Sequence, residues 1–516
     1  ALGNQALYSN TASNNTAVGF CALRNNTTGT NNTAIGYMSQ LCNTIGIANV
    51  SLGRSSLLSN TTGSKNIAIG NSAIQSNTAG IQNIAVGHFA LSKNTTGNDN
   101  ISIGTYSLYT NVVGSNNVAI GRNALYASTA SNNTAVGFCA MRSNTTGDQN
   151  VAVGLNSLRN NTSGRFNTSV GANSLAYNTT ACYNSAFGDI ALRFNTTGGS
   201  NSAFGRGALY VNTTGANNTA VGKHALLCNT IGTTNSAVGV NALLNNTTGV
   251  NNVAVGANSL QSNTTGVNNT ALGTATLYFN TTGNSNVAVG ISALRSNTSG
   301  TANVAVGQDT LFANTVGGAN TAVGHSALVC NTASNNTAVG FCALRSNTTG
   351  TQNVAVGNDA LLCNSTGNNN TALGGVALRR NTTGSYNVAL GRAALYTNVT
   401  GANNVAIGYR ALFTNTASSN TAVGTSALRY NTTGTGNIAI GVSALCTNTG
   451  GNFNTAVGNS ALTKNTTGFY NTAMGINALN NTTTGYNNAA FGSSALIYNT
   501  TGRNNTAVGH QSLRCN

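Results

Sequence analysis

The sequence predicts an all-β fold: a parallel β-solenoid of the β-roll kind, with one 17-residue coil per repeat, two short strands per coil, about 31 coils and no caps. The first observation behind this is a glycine clock. A Gly that closes an Ala-Val-Gly step stands at Gly3, Gly19, Gly36 and so on to Gly509. It makes 31 copies, separated by 26 intervals of 17 residues and four of 16. A short fixed period means one quasi-one-dimensional array. The second observation is a set of fixed columns around that Gly (position 0). The third is the register of the charges.

The columns are strict. Position −4 is always Asn, position −2 is Ala or Ser, and position −1 is Val, Ile, Leu, Phe or Met. Position −3 divides between Thr and Val or Ile. Positions −3 and −1 share a face at the period of two expected of a strand. After the Gly, +3 is mostly Ala or Ser, +4 is Leu almost throughout with Gln40 standing out, and +7 is Asn in 29 of 31 copies. Thr-Thr-Gly usually follows. Asn-Thr-Ala-Val reads as one strand and x-Ala-Leu-x as a second, with the Gly bending the chain between them. Asn-Thr-Thr-Gly makes the wider turn. A helix is excluded, because Gly at two fixed places in every repeat costs about 1 kcal/mol each against Ala.

Stacking coil on coil places like over like. The −4 Asn column (Asn15, Asn32, Asn252, Asn336, Asn505) becomes a ladder of side-chain amides, as stacked Asn does in cross-β structure. Gly19, Gly36, Gly256, Gly340 and Gly509 are the bend glycines. Val18, Leu23, Val339 and Leu344 represent the expected dry interior. Each coil has few large apolar residues and two small ones, which fits both a monomeric solenoid and an intertwined or side-by-side oligomer.

The charges test the register. All 21 Lys and Arg fall at +1, +2, +5, +6, +11 or +12, and Asp99, Asp148, Asp189, Asp309 and Asp359 use the same columns. The net charge of +16 is about half a charge per copy. That reads as a weakly basic solvated surface; a nucleic-acid groove needs cations clustered with aromatic partners, and none is expected. The four short copies, ending at Gly19, Gly137, Gly340 and Gly424, carry Thr-Ala-Ser in place of Thr-Thr-Gly-x. Three of them lead into Gly-Phe-Cys, a sign of block duplication.

No constellation for catalysis, cofactor or metal emerges. The ten Cys lack a CxxC pair and sit in separated coils or different columns, which suits free thiols or occasional cross-links. The four His are far apart. With no Glu and five scattered Asp there is no acid–base pair. Asn-x-Thr/Ser sequons are frequent and no Pro blocks them, so the turn residues Asn26 and Asn347 are expected to be exposed and are candidate glycan acceptors. No composition shift divides residues 1–516, and no apolar run suits a membrane span. Ala1-Leu2-Gly3 already lies inside a copy, so the chain reads as a single array and a window of a longer one.

Phrases such as Asn32-Thr33-Ala34-Ile35-Gly36 and Asn437-Ile438-Ala439-Ile440-Gly441 resemble the head repeats of trimeric autotransporter adhesins, and similar repeats of phage tail-fibre and bacterial surface proteins. The resemblance runs the whole length. The repeat here is longer than in those heads and its Asn-Thr-Thr-Gly turn more uniform. The resemblance implies a parallel β-roll on a cell or virion surface, working in attachment or as a stalk. The expectation is a non-catalytic extracellular fibre that associates along its axis, with lateral or trimeric association and a host-surface or matrix ligand. A repetitive ice- or glycan-binding rod, or a viral tail fibre, is the alternative.

Overall fold

The computed structural model describes residues 1–515. They are all-β, without helix, and form a parallel β-solenoid with 17-residue spacing. Thirty strands form, from β1 (Thr16–Val18) to β30 (Thr506–Val508), each of three residues at positions −3 to −1. This gives about 29 turns in place of the expected 31; the first copy supplies only a bridge, Leu2 to Val18. The chain divides into two compact units, 1–258 with 263–265, and 259–262 with 266–516. The first carries β1 to β15 (Val253–Val255) and the second β16 (Thr270–Leu272) to β30.

Within each unit, like pairs with like. Ile67, Ala68 and Ile69 lie opposite Ile84, Ala85 and Val86 in parallel register, and Thr421, Ala422 and Val423 opposite Ile438, Ala439 and Ile440. A short copy does not shift this register: Val118 still faces Thr134 across a 16-residue step. The missing residue is removed from the wide turn, where the Ala130 carbonyl takes over the role of the turn Gly carbonyl.

Only one strand forms per coil. The x-Ala-Leu-x segment is a turn, because positions +2 and +4 are left-handed: Ser72 and Ile74 have φ of 55° and 48°, Cys342 and Leu344 of 54° and 51°. Left-handed non-glycine residues are disfavoured by about 1–2 kcal/mol each. They persist here because their backbone groups are bonded to the neighbouring coils. Ser72 N–H donates back to Arg54 O at 2.9 Å and Ile74 N–H forward to Ala90 O at 3.0 Å.

The strand also faces the other way from the sequence expectation. The −2 residue is buried in every strand, while −3 and −1 are half-buried or exposed. Val18 and Val339 are therefore half-buried on the outer face, whereas Leu23 and Leu344 are fully buried as expected. The reason is the cross-section. A 17-residue coil encloses two Asn, the +4 Leu and two small residues, as in the cluster of Ala17, Ala22, Leu23 and Ala34. No space remains for a row of Val or Ile.

The Gly at zero is required by close approach. Gly70 has φ +133°, and a Cβ there would stand 2.5 Å from the carbonyl oxygen of Gly87. Gly36, Gly19 and Gly340 meet the same obstacle, whereas Gly509 has φ +117° and open space around it.

Candidate functional surfaces

The interior holds two Asn ladders. In the −4 ladder, Asn66 N–H and Nδ2 both donate to Asn49 Oδ1, at 3.0 and 3.1 Å, and Nδ2 also donates to Gly80 O at 2.9 Å. Asn32, Asn336 and Asn252 lie in this ladder and are buried. Asn15 and Asn505, at the first and last strands, are only part-buried but make the same bonds, Asn32 N–H donating to Asn15 Oδ1 and Asn505 N–H to Asn488 Oδ1. The +7 column forms the second ladder: Asn60 Nδ2 donates to Asn43 Oδ1 at 2.7 Å and to Gly63 O at 2.8 Å. Gly63 O thus accepts from both ladders, since Asn49 Nδ2 reaches it at 2.8 Å.

This overturns the reading of Asn26 and Asn347 as glycan acceptors. Both are fully buried. The Nδ2 of Asn26 donates to Asn10 Oδ1 and Gly29 O, and that of Asn347 to Asn331 Oδ1 and Gly350 O. The nitrogen a glycan would need is spent on the fold.

The outer strand face is apolar. Position −1 is exposed or half-exposed in every strand, with Ile69, Ile103, Phe187, Phe204, Ile440 and Phe491 among the exposed side chains. The charges lie on other columns, so no Lys, Arg, Asp or Glu interrupts this face. Thr and Val or Ile alternate irregularly beside it at −3.

Outside the strand face, the turns carry rings and cations, at +1, +2 and +5 and again at +11. Aromatics 17 residues apart stack in successive coils: Tyr109 on Tyr126 at 5.3 Å, Tyr396 on Phe413 at 5.1 Å, and Phe469 on Tyr486 at 4.8 Å. These ladders escape a reading by columns, because no outward column is aromatic throughout; the usable signal is a pair of rings one period apart. Guanidiniums lie over the rings, Arg410 5.0 Å from the Tyr409 centroid and 5.5 Å from that of Phe413. In the first unit Tyr106, Tyr109, Arg122, Asn123, Tyr126 and Arg142 line one cavity; in the second, Arg392, Tyr396, Tyr409, Arg410 and Phe413 line another. Three acids are paired: Asp148 with Arg165 at 3.1 Å, Asp189 with Arg206 at 3.7 Å and Asp359 with Arg379 at 3.4 Å.

The ten cysteines are free. Burial pushes the thiols of Cys42, Cys228, Cys342 and Cys446 up from their ordinary value. Partial burial, then the charges of Lys223 and Arg206, hold His224 below the usual histidine range. Among the described residues no three His, Cys, Asp or Glu gather as a metal site would need.

The sequence matches no protein-family model, and no curated protein matches it at a significant level.

Proposed function

We propose that this chain is a non-catalytic structural and adhesive element of an extracellular fibre on a cell or virion surface, built by association of copies of itself. The observation that carries the reading is the uncharged outer strand face, apolar in every coil at position −1. Soluble monomers rarely leave contiguous apolar surface beyond a few hundred Å2 uncovered. Here the side chains of successive coils lie about 4.8 Å apart, the spacing of paired strands, so within each unit the apolar stripe is continuous.

The occupant that fits best is a second copy. A partner must match an apolar ridge repeating at every coil, and another array of the same repeat does so over many coils at once. A patch that pairs with itself is what a two-fold dimer uses, and copies set around one axis can also bring one stripe together at that axis. The resemblance to autotransporter heads favours three copies around one axis. Association along the coil stack has a separate basis: the backbone donors and acceptors of each coil point to the next, as Ile74 N–H does to Ala90 O. The attachment role rests on the same resemblance.

Sedimentation of the full chain tests the reading. Copies should associate at micromolar concentration, and changing Ile69, Ile103, Ile407 and Ile440 to Thr should shift the population toward monomer with the β circular-dichroism signal retained. A wild-type chain that stays monomeric would overturn it. The outward −3 Thr residues also keep the ice-binding alternative in view, and thermal hysteresis by a monomeric chain would decide in its favour.

A further inference from the structure

We propose that the arginine–aromatic face of the second unit, centred on Arg392 and Arg410, binds an anionic polysaccharide through its sulfate or carboxylate groups. The inference rests on the adhesive part of the function proposed above and is independent of lateral association.

Charge comes first. Arg379, Arg380, Arg392, Arg410 and Arg429 fall within 51 positions, and no acid follows Asp359 anywhere in the sequence. Asp359 itself is engaged by Arg379 at 3.4 Å. The other four cations are left without a carboxylate partner among the described ion pairs. They belong to four successive coils, at positions +6, +1, +2 and +5, so at about 4.8 Å per coil they spread over roughly 14 Å along the stack. Cations spread over that length suit a polymer bearing repeated anions better than one small ion.

The rings define how the cations are held. Arg380 lies over Tyr396 at 5.8 Å, Arg410 over Tyr409 and Phe413, and Arg429 over Tyr430 at 4.8 Å. Tyr396 and Phe413 stack on each other with planes 11° apart. A guanidinium fixed on a ring keeps its planar fork of donors, which matches the two oxygens of a carboxylate or sulfate. The same contacts argue against single-stranded nucleic acid, which needs free aromatic faces for its bases. Here Tyr396 and Phe413 stack on each other, and Arg380, Arg410 and Arg429 each lie over a ring, which leaves fewer faces open to bases.

The cavity between Arg392 and Arg410 measures about 200 Å3. That is below the roughly 300–1,000 Å3 of pockets that enclose a whole small ligand, so it can seat one group of a longer chain. The arrangement also recurs. In the first unit Arg122 and Arg142 line a cavity with Tyr106, Tyr109 and Tyr126, and Arg142 lies 6.0 Å from the Tyr126 centroid.

Calorimetric titration of the full chain with a heparin hexasaccharide, a hyaluronan hexasaccharide, neutral dextran and a single-stranded oligonucleotide tests this. Heparin binding with weak hyaluronan binding assigns the site to sulfate, and comparable binding of both assigns it to either oxyanion. Replacing Arg392 and Arg410 by Ser should weaken binding at least tenfold, and Tyr409→Leu should weaken it severalfold. Replacing Lys65 and Lys464 by Ser removes the same charge elsewhere and should change it less than twofold. Equal losses in the two double variants would reduce the effect to net charge and overturn the site. Tighter binding of the oligonucleotide than of either saccharide, or no saccharide binding, would also overturn it. Sedimentation of the same samples reads self-association separately, so failure of this site and failure of the fibre reading are distinguishable.

Discussion

Asn77 donates from one Nδ2 to Asn60 Oδ1 at 2.7 Å and to Gly80 O at 2.9 Å, while its own Oδ1 accepts from Asn94 Nδ2 at 2.9 Å. One buried amide thus joins three coils and closes a turn. Asn77→Ala leaves Asn60 Oδ1 and one Asn94 Nδ2 hydrogen without these partners, at about 1–3 kcal/mol for each buried group left unpaired. Urea denaturation followed by circular dichroism should show that loss. Lys65→Ala, at an exposed position, should stay within about 0.5 kcal/mol. Arg295 is a poorer reference, because it lies over the rings of Tyr278, Phe279 and Phe312.

Two glycines separate conformation from composition. Gly70→Ala would drive a Cβ to 2.5 Å from Gly87 O at a φ of +133°. Neither the neighbouring backbone nor the residue can give way, so destabilisation on the order of 3–5 kcal/mol is expected. A Cβ added at Gly375 would meet nothing within 4 Å, and the φ there is not positive. Gly375→Ala should be neutral, or stabilising by about 0.4–1 kcal/mol through the unfolded chain. Equal melting temperatures for the two variants would contradict the close approach.

The cysteines should react in an order set by the coil. Cys330 is exposed, while Cys21, Cys139 and Cys342 are buried. Thiolate is the reacting species, and burial raises the Cys342 thiol above its ordinary value, leaving less thiolate at neutral pH. Iodoacetamide at pH 7.5, read by peptide mass spectrometry, should label Cys330 rapidly and Cys342 only on local opening. The Cys342 rate should keep climbing as the pH is raised past the ordinary thiol value. Equal labelling of the two would place Cys342 outside the interior.

The solenoid, its period and the −4 ladder were legible because identical residues recur at one spacing, as Asn32, Asn49 and Asn66 do. The inward face of the strand was not. A period of two says that Ile67 and Ile69 share a face, without saying which face is inside. The deciding information is the left-handed backbone at Ser72 and Ile74, and sequence hides it because such residues ordinarily avoid that region. The same hidden turn removes the second strand and carries Asn26 and Asn347 inside. The structure makes the distinction measurable. Ala68 is fully buried and Ile69 exposed, so Ala68→Val should cost about 1–3 kcal/mol through overpacking. Ile69→Thr should cost less than about 1 kcal/mol, the span of strand propensities. The reverse ranking by thermal denaturation would restore the other face to the interior.

Buried hydroxyls give the sharpest test of that interior. Position −2 is Ser only at Ser51, Ser102 and Ser169, and in each case +3 of the same coil is also Ser: Ser56, Ser107 and Ser174. A hydroxyl on the strand needs a partner across the coil, since an unmade buried bond costs more than a made one contributes. Ser102 Oγ contacts Ser107 Oγ at 2.5 Å and donates to Ser107 O at 2.9 Å, and Ser107 Oγ reaches Gly104 O at 2.8 Å. Ser169 and Ser174 repeat the pattern, whereas Ser51 Oγ meets Ser39 Oγ and Gln40 Nε2 of the preceding coil. Ser102→Ala and Ser107→Ala should each destabilise, by about 1 kcal/mol. The double variant restores the Ala–Ala pair of most other coils and should cost less than the sum of the two. A double-mutant cycle by urea denaturation should return a coupling of at least about 0.5 kcal/mol. Strict additivity would mean that the two hydroxyls do not meet inside the coil, and the placement of the −2 column against the +3 column would have to be redrawn.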